Sequence, residues 1–311
     1  MAFQRGAVSG TGTVLQLPVQ TLAQIRDLLE SRGLAPKKSL GQNFLIDHNL
    51  IRKLVDAASV HTGDLVLEVG PGTGALTDEL VARGCRVIAC ELDEGLASLI
   101  EERFAANPNV TVIQGDCLES KRELSRAAAA ALGSRPFKLI ANLPYGAATP
   151  LLIALMTQHL ACSGMWITVQ REVGDRLIAK AGSDDYGTIS IISAAACEGR
   201  KIARLGPECF WPRPEIESVM IELVRKPTAL TNDLPGLADF TQALFNKRRK
   251  QLGAVLRSMG AVGGEITHLD LPAGIIPTSR AENLTPQEVI SVHEWRKTRS
   301  PLAQRPPGVV P

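Results

Sequence analysis

The sequence predicts an α/β protein: a mostly parallel sheet with helices on both faces, followed by a small helical region. Three observations predict it. Short apolar runs alternate with helical stretches between about residues 60 and 170, the pattern of repeated strand–helix–strand units. A glycine-rich turn, Gly70-Pro71-Gly72-Thr73-Gly74, joins the first of those runs to its helix. Beyond Pro227 the strand pattern stops and only helical periodicity remains.

Residues 1–17 are rich in Gly, Ser, Thr and Gln without a period and read as a disordered extension. Leu22, Ile25, Leu28 and Leu29 recur at helical spacing, and Gly33 stops that helix. A loop over 35–44 follows, and Asp47 caps a second helix running to about residue 59. Strands are expected at 65–69, 86–90, 110–113, 137–141 and 165–169, with helices at 75–83, 94–105, 120–132 and 150–160. A later strand is expected at 220–224. Residues 227–235 read as a turn-rich link, followed by one long helix with a basic face over 240–259 and another over 286–296. The chain then divides into a sheet domain over 18–227, a small all-helical domain over 228–300, and a disordered tail over 301–311 that carries four prolines.

Composition excludes several classes. The chain is 45% hydrophobic and 21% charged, the mix of a soluble globular protein with enough apolar material for a core. No run of about 18 apolar residues exists to span a membrane, and the N-terminus has no charged start followed by an apolar block, so a cytoplasmic protein is expected. The six cysteines (Cys85, Cys90, Cys117, Cys162, Cys197, Cys209) form no CxxC pair. They read as buried free thiols in a reducing compartment, and no metal site is expected. No dimerisation signal is present, so a monomer is expected. Net charge is only +2, yet Lys247, Arg248, Arg249 and Lys250 are consecutive, and Lys37 and Lys38 form a smaller pair. Such runs are usually solvated helix faces; beside a substrate site, the longer one would grip phosphates.

The chemistry concentrates at strand ends. Glycines in the 70–74 turn let the backbone bend tightly and approach a ligand, a pattern that fits nucleotide cofactors in general. Glu91 ends the second strand, 21 residues past Gly70, where a carboxylate can accept from both ribose hydroxyls. Asp116 follows the third strand at the same crevice, where it can accept from an adenine amino group; alone it would read as a helix cap. Three such signals favour S-adenosylmethionine over NAD. Asn142-Leu143-Pro144-Tyr145 follows the fourth strand. An exocyclic adenine nitrogen is a poor nucleophile, because its lone pair is delocalised into the ring. The Asn142 amide oxygen and a backbone carbonyl held by Pro144 can accept its two N–H groups and direct the lone pair at a methyl donor, while Tyr145 stacks on the flipped base. Catalysis would be positioning and electrostatics, without a strong base. The tetrad offers no acid–base group for hydride transfer, which counts against an NAD oxidoreductase.

Over residues 35–296 the chain resembles the ribosomal RNA adenine dimethyltransferases of the KsgA/RsmA type. The resemblance rests on residues 38–45, on 68–74, on Asn142 to Tyr145, on Tyr186-Gly187-Thr188-Ile189-Ser190, on Phe210-Trp211-Pro212-Arg213-Pro214 with Glu217-Ser218-Val219, on residues 245–250, and on Arg280-Ala281-Glu282-Asn283-Leu284. It implies a Rossmann-like class I methyltransferase domain with a mostly parallel seven-stranded sheet. It implies that Asn43 and Leu45 cover the cofactor, with Gly70 by its methionine part, Glu91 by its ribose and Asp116 by its adenine, and with Gly72 among the cofactor-binding residues. Asn142, Leu143, Pro144 and Tyr145 would handle the base, and Phe210 would stack from the opposite side. The substrate would be two adjacent adenines near the 3′ end of 16S RNA in a small-subunit precursor, with S-adenosylhomocysteine as product. The run Lys247, Arg248, Arg249 and Lys250 would grip RNA. Departures stand at Gly146, at Trp211 and in the Ala-rich stretch 191–197. The rivals are a 23S adenine methyltransferase of the macrolide-resistance type, which usually carries Ile where this chain has Leu143, and a non-catalytic RNA-binding assembly factor on the same scaffold.

Overall fold

A computed structural model describes residues 20–144, 146–260 and 270–299. The segments read as a disordered extension and tail, 1–17 and 301–311, lie outside the described residues, as does Tyr145.

Seven strands form the main sheet: β1 Leu65–Val69, β2 Arg86–Glu91, β3 Val110–Gln114, β4 Phe137–Asn142, β5 Cys162–Gln170, β6 Cys197–Leu205 and β7 Ser218–Arg225. Their order is β3-β2-β1-β4-β5-β7-β6. The first five run parallel, and β7 runs antiparallel to both β5 and β6. This is the mostly parallel seven-stranded sheet expected. Strand order reverses between β1 and β4, so a crevice opens at their carboxyl ends, where ligands bind in open parallel sheets.

The helices are α1 Leu22–Glu30, α2 His48–Ala57, α3 Ala75–Ala82, α4 Glu94–Phe104, α5 Arg126–Leu132, α6 Ala148–Thr157, α7 Arg171–Leu177, α8 Thr188–Ala196, α9 Leu234–Phe245, α10 Leu252–Ser258 and α11 Pro286–Arg299. Side chains start several of them. Asp47 accepts from Asn49 and Leu50 N–H at α2, Asp93 from Gly95 and Leu96 N–H at α4, and Thr21 forms a capping box with Gln24 at α1. One helical face of the sheet shares a single apolar cluster with the C-terminal helices: Leu139 and Met165 of the sheet, Leu152 of α6, Ile192 of α8, and Leu237, Phe240 and Val289 of α9 and α11. Among the described residues no helix is long and apolar enough to cross a membrane.

Two expectations need correction. The helix expected over 120–132 begins only at Arg126. Leu118–Ser120 pairs with Glu123–Leu124 as a small antiparallel ribbon, and the Ser125 hydroxyl oxygen, accepting from Ala128 N–H, starts the helix after it. The long helix expected over 240–259 is two helices. Gln251 is extended and bridges Arg280, and Leu252 and Gly253 donate their N–H groups to Ser279 and Pro277 instead of to a preceding helical turn. The Ala-rich stretch, for which no element was expected, lies in α8 and runs directly into β6. A helix buried on all sides shows no amphipathic stripe; α8 lies among α6, α7, α9 and α11, with Ser190 and Ser193 buried beside its isoleucines, and each Ile buried there stabilises by roughly 1.5–3 kcal/mol.

Candidate active site

A cleft of about 680 Å³ opens at the carboxyl ends of β1, β2 and β4. Its walls include Asn43, Gly70, Gly72, Glu91, Asp116 and Asn142, so residues far apart in sequence meet where the sheet reverses.

The turn after β1 needs its glycines. Gly72 has φ +59, and a Cβ there would sit 2.7 Å from the Phe44 ring, so both backbone and space exclude a side chain. Gly70 has φ +73, and a Cβ there would come within 3.3 Å of the Pro144 ring. The glycine turn therefore packs directly against the Asn142–Pro144 turn.

Glu91, at the end of β2, is 5% exposed. Its carboxylate accepts from Gly72 N–H (3.2 Å) and Asp93 N–H (3.0 Å), which ties the glycine turn to α4. Burial pushes its carboxyl above the usual range, while those donors pull it back. Asp116 is exposed on the cavity wall; one oxygen accepts from Leu118 N–H (2.9 Å). It turns the chain into the Leu118–Ser120 ribbon, so the helix-cap reading does not hold. Glu68, in β1, is 1% exposed beneath the turn and accepts from the Thr77 hydroxyl (2.7 Å). Burial, with Asp78 and Glu91 nearby, pushes its carboxyl up to about 8.

Asn142 ends β4. Its Nδ2 donates to the carbonyl of Asn43 (2.9 Å), which leaves Oδ1 as the acceptor available to a ligand. Leu143 N–H donates to Thr168 on β5 (3.0 Å), and the Pro144 carbonyl accepts from Ala147 N–H (3.1 Å). The turn is thereby fixed on both sides.

Two expected site residues are not brought to this cavity. Leu45 is 7% exposed; it lines a small recess behind Gly70 with Glu68 and Leu54. Phe210 is 2% exposed, pairs with Leu45 and packs in the cluster of Ile51 and Leu54. From that position Phe210 supports the Phe44–Leu45 strand from behind. The neighbouring Trp211 stacks on Phe44, ring centroids 6.2 Å apart. That pairing of Phe44–Leu45 with Phe210–Trp211 had no periodic signal in so short a segment.

The basic run also divides. Lys247 to Lys250 form the turn between α9 and α10, not a helix face. Arg248 is half-exposed but engaged with the protein: it pairs with Glu282 (2.6 Å) and donates to the Asp184 carbonyl (3.0 Å). Lys247 donates to the Ser258 hydroxyl (2.7 Å). Arg249 and Lys250 are exposed, with no partner among the described residues. None of the four lines the cavity. Sequence reasoning missed Leu92, an apolar side chain 55% exposed on the cavity wall directly after Glu91. Its signal was an apolar residue continuing past a strand's terminal carboxylate.

The profile of the family described as ribosomal RNA adenine dimethylase matches residues 33–297. The chain is 38% identical over 282 residues to the ribosomal RNA small subunit methyltransferase A of Moorella thermoacetica, covering 88% of this chain and 96% of that protein. Among solved structures it is similar in fold to a dimethyladenosine transferase from Plasmodium falciparum (TM-score 0.63, 22% identity, 79% of this chain and 94% of that one). It is also similar in fold to the 23S rRNA methyltransferase ErmE (TM-score 0.58, 22% identity, 81% and 98%).

Proposed function

This chain belongs to the ribosomal RNA adenine dimethylase family, and on that premise we propose that it dimethylates the N6 amino groups of two adjacent adenines near the 3′ end of 16S RNA. The observation that carries the site assignment is the Asn142 carboxamide, oriented by the Asn43 carbonyl and packed beside the glycine turn through Pro144.

S-adenosylmethionine supplies an electrophilic methyl group on a sulfonium. The residues present suit it: a glycine turn that excludes side chains, and two carboxylates on the same wall, each with acceptor capacity left. Gly70 and Gly72 would hold the methionine part, Glu91 the ribose hydroxyls and Asp116 the adenine amino group, with Leu92 against the adenine face. Asn43 would cover this group from the loop, with Leu45 supporting that loop from the recess behind Gly70.

Asn142 Oδ1 and the Leu143 carbonyl accept the two N–H groups of the target nitrogen. Held between them, the nitrogen turns its lone pair toward the methyl. Pro144 keeps the turn rigid, and Tyr145 stacks on the base. The methylated nitrogen is acidic enough to lose its proton to water, so no buried base is required. Arg249 and Lys250 contribute to gripping RNA phosphates. The protein acts as a cytoplasmic monomer on a small-subunit precursor.

Mass mapping of ribosomal RNA from cells with and without the protein tests this. Two adjacent dimethyladenines near the 3′ end of 16S RNA are expected to depend on it; a dependent modification only in 23S RNA, or none, would overturn the proposal.

A further inference from the structure

The loop that crosses the cavity is tied down at a point the proposed chemistry does not use. Its short turn, Lys38–Leu40, ends at Gly41 with φ +64. Gln42 sits at its centre. Gln42 Oε1 accepts from Lys37 N–H (2.7 Å), closing the loop on itself, and Gln42 Nε2 donates to Asp93 Oδ2 (3.2 Å). Lys37 Nζ reaches the same oxygen (2.7 Å). The other Asp93 oxygen caps α4. The Asp93 side chain is 2% exposed. Burial would raise its carboxyl, but the Lys37 and Gln42 donors outweigh that and hold it below the usual range.

Asp93 stands between the two halves of the site. Its N–H donates to Glu91 Oε1 (3.0 Å), and Glu91 Oε2 accepts from Gly72 N–H (3.2 Å). On the other side, one residue past Gln42, the Asn43 carbonyl accepts from Asn142 Nδ2 (2.9 Å). A continuous path therefore runs from the glycine turn through Glu91, Asp93 and Gln42 to the Asn142 carboxamide.

A carboxamide is nearly symmetric in shape. Turned over, it presents its NH₂ where its oxygen should be, at little steric cost; only its hydrogen-bond partners select one orientation. A backbone carbonyl 2.9 Å away accepts only from Nδ2. That carbonyl belongs to a loop, however, and a loop left free disperses its conformations. The charge-assisted contacts to a buried Asp93 oxygen remove that freedom.

We propose that Lys37, Gln42 and Asp93 form a latch that holds the Asn43 carbonyl against Asn142, so that the Asn142 oxygen faces the amino group being methylated. The latch residues act through Asn142 and are positioning residues. The inference rests on the catalytic role proposed for Asn142.

The test uses the full-length protein, S-adenosylmethionine and under-methylated small subunits. Gln42→Glu keeps the acceptor for Lys37 N–H but turns the donor facing Asp93 into a second carboxylate. Lys37→Met removes the cation, and Lys37→Arg restores it. Asp93 is left intact because it also caps α4. Gln42→Glu is expected to lower kcat about 10- to 100-fold, with the cofactor dissociation constant and Tm changed far less, and Lys37→Arg is expected to recover most of the kcat lost in Lys37→Met. A Gln42→Glu variant with kcat within about twofold of wild type overturns the latch. So does a kcat loss matched by an equal loss of cofactor affinity, which marks a simple cover, or a Lys37→Arg variant as poor as Lys37→Met. Asn142→Ala is the control. If it is inactive while Gln42→Glu is normal, only the latch fails; if it is itself active, the catalytic reading fails.

Discussion

Asn142 has two chemically different ends, and the protein uses both. The nitrogen is consumed internally by the Asn43 carbonyl, and the oxygen is left to the cavity. Asn142→Ala is expected to abolish methylation while RNA binding, measured by filter retention, stays near wild type; binding lost in parallel would show that Asn142 holds the RNA rather than the reacting nitrogen. Glu68 presents the opposite case, a carboxyl buried beneath the turn and pushed up to about 8. Between the ordinary carboxylate value and about 8 the folded state binds more protons at this site than the unfolded chain. Its contribution to stability is therefore fully present in acid and lost as pH rises through that window. Glu68→Gln keeps the partner for Thr77 and removes the titration. It should raise Tm relative to wild type at pH 8.5 by several degrees and leave it nearly unchanged at pH 4.5, as read by calorimetry; a pH-independent difference would rule the titration out.

At the scale of elements, the segment between α9 and α10 shows how a charge run misleads. A run of cations usually reads as solvated surface, but here the turn distributes them by geometry. Arg248 is paired with Glu282 and Asp184, while Arg249 and Lys250 remain exposed without a partner among the described residues. Charge reversal at Arg249 and Lys250 is expected to weaken RNA binding, more at low salt than at high, with Tm unchanged. Reversal at Arg248 should instead lower Tm, because it leaves Glu282 facing a like charge. Equal effects of all three on RNA binding would return Arg248 to the RNA-facing group.

At the scale of the molecule, two segments of the family resemblance that looked independent prove to be one joint. Tyr186, 1% exposed, donates its hydroxyl to the Leu284 carbonyl (2.8 Å), Gly182 N–H donates to Glu282 (2.7 Å), and Arg248 links the same two loops. The joint binds the C-terminal helices to the α7–α8 connection of the sheet region. Tyr186→Phe leaves the Leu284 carbonyl unpaired inside the protein and should cost about 1–2 kcal/mol, seen as a lowered denaturant midpoint with an unchanged slope; an unshifted midpoint would mean the joint contributes nothing.

What the sequence determined by itself was local. Glycines that need positive φ, carboxylates at strand ends and an Asn-Leu-Pro turn are properties of a few adjacent residues, and strand–helix alternation places such residues at one edge of a parallel sheet whatever the distant packing. Tertiary structure decided the rest. The orientation of Asn142 depends on a carbonyl 99 positions earlier. The fate of Arg248 depends on Glu282, and the burial of Phe210 depends on the Leu45 strand behind it. The buried α8 became readable only once helices closed over it on several sides. Hydrogen bonds and burial between remote segments leave no period in the chain, because they are fixed by how the elements pack and not by what stands beside each residue.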